Sequence, residues 1–511
     1  MSIFDDLFVL DLANNHQGDF EHAAEIVDDI ASVVKETGVK AAFKFQFREL
    51  DTFIHPDHRV TTDNRHIPRF LETRLPFEEF SNLKKRASEH GLLTMSTPFD
   101  ESSVEKIVEM QFDILKIASC SAKDWPLIDQ ASKAGLPMIC STGGLSISDI
   151  DELVSFLDHR GVEFGLMHCV SVYPTPTEIC ELNQVSVLRN RYKGLVVGWS
   201  THEDPSDLDP VIVAVAKGAK MFERHVGIEN EKYKLNKYSS TPEQVKHWIQ
   251  KKIKADLLLG AKDERVSRSE ERASLLELQR GIFFARDLKK GTQIGRKDVF
   301  FAMPASSGQR VSGEWREGLV AERDVLKNSA MTDQSVSQKS DANKDKKVLK
   351  HAIHKIKAML SMAKIALPSS FEVEFSHHYG PSNFMDTGAV IITCVNREYC
   401  KKLIVMLPGQ AHPAHFHKRK EESFQVLSGS LDLYLDGKLH FMDEGEIKLV
   451  QPGVWHQFST AKGCIFEEIS STHYNDDSFY KDPAINQKAR SDRKTVVSNW
   501  GRFELYDDWV Q

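Results

Sequence analysis

His415 and His417 stand two residues apart between Gly409 and Gly429. On a strand that spacing sends both side chains to one face. Glu422 follows after a short turn, and Pro452-Gly-Val-Trp-His456 offers a third imidazole on a later strand. Three histidines and a carboxylate on one sheet face suit a divalent metal such as Mn, Fe, Ni or Zn.

The N-terminal half carries a second, unrelated set of polar residues. They fall where short apolar runs end: Asp11, Asn15 and His16; Lys44 and Gln46; Ser96 and Thr97; Lys116 and Ser119; Ser141-Thr-Gly143; Ser171 and Tyr173; Ser200, Thr201 and His202; Glu223 and His225. Lys44 and Lys116 are cations in apolar surroundings, and such lysines need anionic partners. Ser141-Thr-Gly before a helix presents hydroxyls and amides to a phosphate or carboxylate. His202 and His225, with Glu223 or Asp11 nearby, could hold a metal. Together they describe a site for a small polyanion beside a metal.

The runs that must position these residues are Phe8–Ala13, Ala41–Phe47, Leu92–Ser96, Ile114–Ile117, Pro137–Ser141, Phe164–Cys169, Leu195–Trp199 and Met221–His225. Amphipathic stretches such as Phe20–Thr37 and Pro76–His90 lie between them. Strand–helix alternation of this kind predicts a (β/α)8 TIM barrel over residues 1–265, with chemistry at the C-terminal strand ends. Helices are expected near 241–260 and 267–279. Residues 266–330 read as a small β-rich module, 331–347 as a polar linker, and 348–511 as a helix followed by a β-barrel with turns at Pro408-Gly, Ser428-Gly, Asp436-Gly and Pro452-Gly. The tail through Trp500-Gly-Arg-Phe503 is expected to pack back on a barrel.

A length of 511 residues implies several domains. The 41% hydrophobic and 27% charged residues are those of a soluble globular protein. The net charge of −8 argues against a general nucleic-acid binder. No long apolar run suggests a membrane span, and the acidic N-terminus does not resemble a signal peptide. The 7 cysteines contain no Cys-x-x-Cys pair, so reduced, buried thiols in a cytoplasmic protein are expected.

Residues 1–335 resemble the N-acetylneuraminate (sialic acid) synthase family. The resemblance is carried by Asn15-His-Gln-Gly18, Lys44-Phe-Gln46, Ser96-Thr-Pro-Phe99, Lys116-Ile-Ala-Ser119, Ser141-Thr-Gly143, His168-Cys-Val-Ser-Val-Tyr173-Pro-Thr-Pro176, Gly198-Trp-Ser-Thr-His202 and Glu223-Arg-His225. It implies condensation of phosphoenolpyruvate with an aldose to a 2-keto-3-deoxy sugar acid. Lys44, Thr97, Lys116, Ser119, Ser141, Ser171 and Ser200 would then bind phosphoenolpyruvate and its surroundings. Gln46 and Tyr173 would touch the sugar, and His202 and His225 would hold Mn²⁺ or Mg²⁺. Asp11 and Glu223 would serve the chemistry, Asp11 by positioning the attacking water. The module at 280–330 resembles the SAF (antifreeze-like) domain, which implies a homodimer whose SAF modules cap the partner barrels. Three positions depart from the family: Ser121, Leu235-Asn236 and Met303. Met303 replaces an arginine that reaches the N-acetyl group of the sugar, and a thioether cannot donate that hydrogen bond. The expected acceptor is therefore not N-acetylated.

The C-terminal third resembles the cupin superfamily through Gly409, His415, His417, Glu422, Gly429 and Pro452-Gly-x-x-His456. Phe466-Glu467-Glu468 through His473 to Asp477 and Tyr480 looks like the D-lyxose isomerase type. That implies aldose–ketose interconversion with Glu467 or Glu468 as base and Asp477 as acid or orienter. The fusion then suggests an isomerase that makes the aldose the synthase consumes. The alternative is a monofunctional synthase whose cupin is a metal-dependent sugar-binding or regulatory module.

Overall fold

The structure is a computed structural model that describes residues 2–60, 62–260, 265–338, 344–498 and 500, with the side chains of 344–347 and 498 excepted. The chain divides into two compact units, Met1–Val266 and Ser267–Gln511.

In the first unit, eight parallel strands close into a barrel in sequence order. They are β1 Leu7–Asp11, β2 Ala41–Phe47, β3 Leu93–Pro98, β4 Ile114–Ile117, β5 Met138–Ser141, β6 Phe164–Cys169, β7 Val197–Thr201 and β8 Met221–His225. Helices cover the outside, so the strands are buried on both faces and read as nearly continuous apolar runs. Sequence-local signals start and stop these helices. Asp19 caps Phe20–Thr37 and Gly38 ends it at φ 67°, while Ser146 with Asp149 and Thr241 with Gln244 form capping boxes.

Inside the barrel the period of two sorts residues into layers. A lower layer of Val9, Ala42, Met95, Ile114, Ile139, Met167 and Met221 forms a dry plug. Two residues further along the same strands stand Asp11, Lys44, Thr97, Lys116, Ser141, Cys169 and Glu223, all buried. Gly198 is required beneath this layer, because a Cβ there would lie 2.6 Å from the Met221 Cβ.

The second unit begins with a small module of antiparallel strands: β9 Gly281–Phe284, β10 Gln293–Ile294, β11 Val299–Ala302, β12 Leu319–Ala321 and β13 Val336–Gln338. Its core joins Ile282, Phe284, Leu319 and Val336. The linker expected over 331–347 is thus too long. Residues 336–338 pair with β12, and a helix runs from Lys344 to Met362. The short polar segment misled because β13 is an edge strand of three residues with only Val336 buried.

Two sheets follow. One has the order β21-β18-β23-β16-β15-β14-β25 and the other β20-β19-β22-β17-β24. The strands are β14 Glu372–Ser376, β15 Ala389–Asn396, β16 Tyr399–Met406, β17 Ala411–Phe416, β18 Glu422–Gly429, β19 Leu431–Leu435, β20 Lys438–Met442, β21 Ile447–Val450, β22 His456–Ser459, β23 Cys464–Ser471, β24 Phe479–Tyr480 and β25 Lys494–Ser498. Ile404, Phe424, Val426 and Phe466 meet Leu431, Leu433 and Phe458 between the sheets. The helix Lys344–Met362 lays Ala352, Ile353 and Ile356 on the outer face against Phe375, Leu403 and Ile465. Trp500 packs edge-on to Phe371 with ring centres 5.5 Å apart. The remainder of the expected tail, from 501, lies outside the described residues.

The cysteines are free, but Cys120 is exposed, contrary to the expectation of buried thiols. Among the described residues no helix is long and apolar enough to cross a membrane.

Candidate functional site

At the C-terminal end of the barrel, Glu223 lies between two lysines, one carboxylate oxygen ion-paired with Lys44 and the other with Lys116. The Lys44 Nζ also lies 2.9 Å from Asp11 Oδ2. Gln46 Nε2 donates to that oxygen at 3.0 Å, and His225 Nε2 is 3.3 Å from it. The other Asp11 oxygen accepts the Ala13 N–H at 2.9 Å. The structure thus brings Asp11, Lys44, Gln46, Lys116, Glu223 and His225 together.

Burial alone would neutralise these groups, and the pairing decides which stay charged. Burial raises the Glu223 pKa, but Lys116 and Lys44 reverse it and hold the group ionised. Burial likewise opposes the Asp11 anion, and Lys44 with His225 overcomes it. Burial lowers the Lys116 pKa, Glu223 opposes this, and Lys44 adds to the lowering. Asp11 and Glu223 are thus engaged anions rather than free proton acceptors. Lys44 and Lys116 share the Glu223 carboxylate between them.

Above this layer, Ser119 Oγ accepts the Gly143 N–H at 3.0 Å. Ser141 and Ser200 are buried beside it, and the Thr97 hydroxyl is buried without a partner. Ser171 and Tyr173 sit on the exposed loop after β6. Tyr173 turns its ring to within 4.4 Å of His202, and Tyr238 lies 5.5 Å from His225. The sequence reading missed Tyr238. His202 and His225 have ring centres 5.2 Å apart. Burial, reinforced by His225, holds the His202 pKa down to about 3, so its imidazole is neutral. The His225 Nδ1 is buried without a hydrogen-bond partner. A neutral His202 imidazole and the open His225 Nδ1, beside Asp11, fit a divalent metal.

In the second unit, His415 lies on β17 opposite His456 of β22, and His417 follows one residue past the end of β17. Their ligand nitrogens all lie within 4.8 Å of one another. His415 Nδ1 bonds the Pro413 carbonyl at 3.0 Å, His456 Nδ1 the Val454 carbonyl at 3.1 Å, and His417 Nδ1 the Asp477 carbonyl. A carbonyl only accepts, so each ring carries its proton on Nδ1 and turns the Nε2 lone pair to the centre. The Nε2 atoms of His415 and His456 are 2.9 Å apart, and Glu422 Oε1 is 3.0 Å from His456 Nε2. Lone pairs so close need a cation between them. These residues fit a divalent metal held by His415, His417, Glu422 and His456.

The acids expected to do proton chemistry divide. Glu468 faces the interior with Phe466 and Ser470, whereas Glu467 points to the opposite face of β23 and pairs with Lys401 at 2.5 Å. Adjacent strand residues cannot share a face, so Glu467, a candidate base, points away from the face that Glu468 occupies. Asp477 spends its carboxylate on the backbone N–H groups of Lys418, Arg419 and Lys420 at 3.0–3.3 Å. It orients the loop and His417, and it does not stand free as an acid.

Several residues were missed. Lys420 bridges Glu422 and Glu468, the latter at 2.9 Å, and Lys402 lies 3.1 Å from Glu468. Burial raises the Glu468 pKa, but Lys402 and Lys420 bring it down to about 2. His412 joins the histidine cluster only because a bulge in β17 brings it to the inner face.

A parallel eight-stranded barrel with a lysine–carboxylate polar layer, joined to a cupin-type barrel with converging histidines, defines the class of protein. Residues 30–264 match the NeuB family, and residues 402–464 match the Cupin domain. An uncharacterized protein of Methanocaldococcus jannaschii is 32% identical over 292 residues, covering 57% of this chain and 82% of its own. The N,N'-diacetyllegionaminic acid synthase of Legionella pneumophila is 28% identical over 309 residues, covering 57% and 83%. A crystal structure from Chromobacterium violaceum, assigned as spore coat polysaccharide biosynthesis protein E, is 37% identical with TM-score 0.62, covering 65% of this chain and 99% of its own. The chain belongs to the NeuB family.

Proposed function

We propose that the barrel condenses phosphoenolpyruvate with an aldose to a 2-keto-3-deoxy sugar acid, and that the cupin isomerises a ketose to that aldose. The observation that supports the first half is the Glu223 carboxylate clasped between Lys44 and Lys116 in a layer of hydroxyls. Two ammonium groups set to receive an anion match the carboxylate and phosphate of phosphoenolpyruvate. Relatives named as synthases of sialic-acid-like sugars support the same reading.

Lys44 and Lys116, with Thr97, Ser119, Ser141, Ser171 and Ser200, bind and orient phosphoenolpyruvate. Gln46 and Tyr173 position the sugar against it. A divalent ion held by His202 and His225 would supply Lewis-acid polarisation of the aldehyde. The enol carbon bonds to the aldehyde carbon, a water placed by Asp11 adds to C2, and phosphate departs. Met303, exposed on the small module, offers no hydrogen bond to an N-acetyl group, which favours an acceptor without one. In this reading the protein is a homodimer in which the small module caps the partner's barrel.

In the cupin, Glu468 is the acid on the inner face beside the histidine cluster; it would take a proton from C1 of the ketose and return it to C2 while a proton passes from O1 to O2, with Lys420 2.9 Å from its carboxylate. One observation favours the alternative of a sugar-binding cupin. Glu468 is ion-paired to two lysines and Asp477 is committed to a loop, so neither is a free base.

Phosphate release from phosphoenolpyruvate with Mn²⁺ tests both readings, across fructose with mannose, xylulose with lyxose, ribulose with arabinose, and N-acetylmannosamine. Release with a ketose that is lost in His417→Ala, while the aldose still reacts, supports the coupled enzyme. Release with aldoses alone removes the isomerase. Equal turnover of N-acetylmannosamine overturns the acceptor assignment.

A further inference from the structure

The cupin interior holds more positive charge than its own acids answer. Lys420 and Lys402 share Glu468, and Lys420 also holds Glu422. Lys494 on β25 lies 2.6 Å from Glu374 on β14, and Arg490, on the short helical turn before β25, lies 2.7 Å from it. Lys494 and Glu374 face the interior, since β25 pairs with β14 in the register Ser376 to Lys494. Arg493 completes the set. Its Cζ lies 5.3 Å from the centre of the Tyr480 ring, and Tyr480 stacks at 5.4 Å on the ring of His415. The Nε and Nη1 of Arg493 are buried and have no hydrogen-bond partner.

Four interior cations, Lys402, Lys420, Lys494 and Arg493, therefore meet three carboxylates, Glu374, Glu422 and Glu468, while Arg490 is partly exposed. The acids are fully engaged, and one guanidinium edge is left without an acceptor. Buried guanidinium donors without partners are costly. His473 reports the same field. Burial first, then Lys402 and Lys420, push its pKa down to about 3. A neutral sugar supplies hydroxyls but no countercharge, whereas phosphate and carboxylate oxygens match the guanidinium fork.

We propose that the cupin chamber contains an anion subsite, built from Arg493 with Lys494 and Lys402, that selects a sugar carrying a phosphate or carboxylate over a neutral one. This rests on the reading of the histidine cluster as a sugar site and names the charge class of its ligand.

Calorimetric titration of the full chain loaded with Mn²⁺ tests it, using fructose 6-phosphate, glucuronate, fructose and inorganic phosphate as probes. The component lost in His417→Ala is the chamber's. At least one anionic sugar should bind about tenfold or more tightly than fructose. Arg493→Gln should abolish that preference without changing fructose binding or metal content, and Arg493→Lys should recover part of it. Preference for fructose 6-phosphate alone assigns a phosphate, and preference for glucuronate alone a carboxylate. Fructose binding as tightly as both anions, or a preference that survives Arg493→Gln, overturns the subsite. Inorganic phosphate binding as tightly as fructose 6-phosphate, with the Arg493 dependence intact, keeps the subsite and removes the sugar reading. Should Arg493→Gln not fold, Arg493→Lys carries the test, because it must weaken the anionic sugar and leave fructose unchanged.

Discussion

His417 is aimed by Asp477, 60 residues further along the chain, whose main-chain carbonyl accepts the Nδ1 proton of the ring. The Asp477 carboxylate meanwhile gathers the N–H groups of residues 418–420. One residue thus fixes both the ring and the loop that leads from it to Glu422. Asp477→Ala should lower the metal affinity of the cupin about 10–100-fold while the fold persists. Competition with a chromogenic chelator measures this, and unchanged affinity would show that the loop holds itself.

Gly143 lies where a methyl group would stand 2.6 Å from Ser171 Oγ and 2.7 Å from Ser119 Oγ. Gly143→Ala should displace both hydroxyls. The KM for phosphoenolpyruvate should rise roughly tenfold with a smaller change in kcat, the signature of lost ground-state binding. Steady-state phosphate release gives the split, and an unchanged KM would place phosphoenolpyruvate elsewhere.

Glu223→Gln removes the anion that holds Lys44 and Lys116 together. Breaking such a buried pair should cost about 3–5 kcal/mol. Inorganic phosphate should then raise the thermal midpoint of the variant more than that of the parent, because an anion fills the place of the carboxylate. Equal shifts in differential scanning fluorimetry would refute the assignment of this spot to an anion.

Glu374 is buried, which alone would raise its pKa, yet Lys494 and Arg490 bring it down to about 2. A carboxylate depressed in the folded state contributes stability that is present above its unfolded pKa, near 4.5, and is lost as pH falls toward 2. Urea unfolding between pH 5 and pH 3 should show the parent losing on the order of 2 kcal/mol more than Glu374→Gln. Parallel slopes would mean the ion pair is not retained on folding.

The barrel was legible because its physics repeats. Most strands place an apolar residue in the plug and a polar residue two positions on, as in Val9 and Asp11 or Met221 and Glu223. Periodicity also put His415 and His417 on one face. It failed on β23, where Ile465 packs under the helix and Phe466 between the sheets. Further along, burial alternates but residue type runs against it, with Glu468 buried and Ile469 exposed, so Glu467 and Glu468 could not be told apart. Lys402 carried a usable signal, since it shares parity with Ile404 and Met406 on β16. Lys420 lies on a loop, and Arg493 reaches the chamber through tertiary pairing that no local pattern encodes.

Lys494 meets Glu374 across 120 residues of chain, and β25 completes the sheet beside β14. During synthesis the histidines of β17 and β22 emerge well before this strand. A nascent chain can therefore assemble the metal ligands while the basic wall is still inside the ribosome. Loss of residues 490–498 by proteolysis would return the domain to that state, able to hold an ion but without the Arg493 and Lys494 of its basic wall.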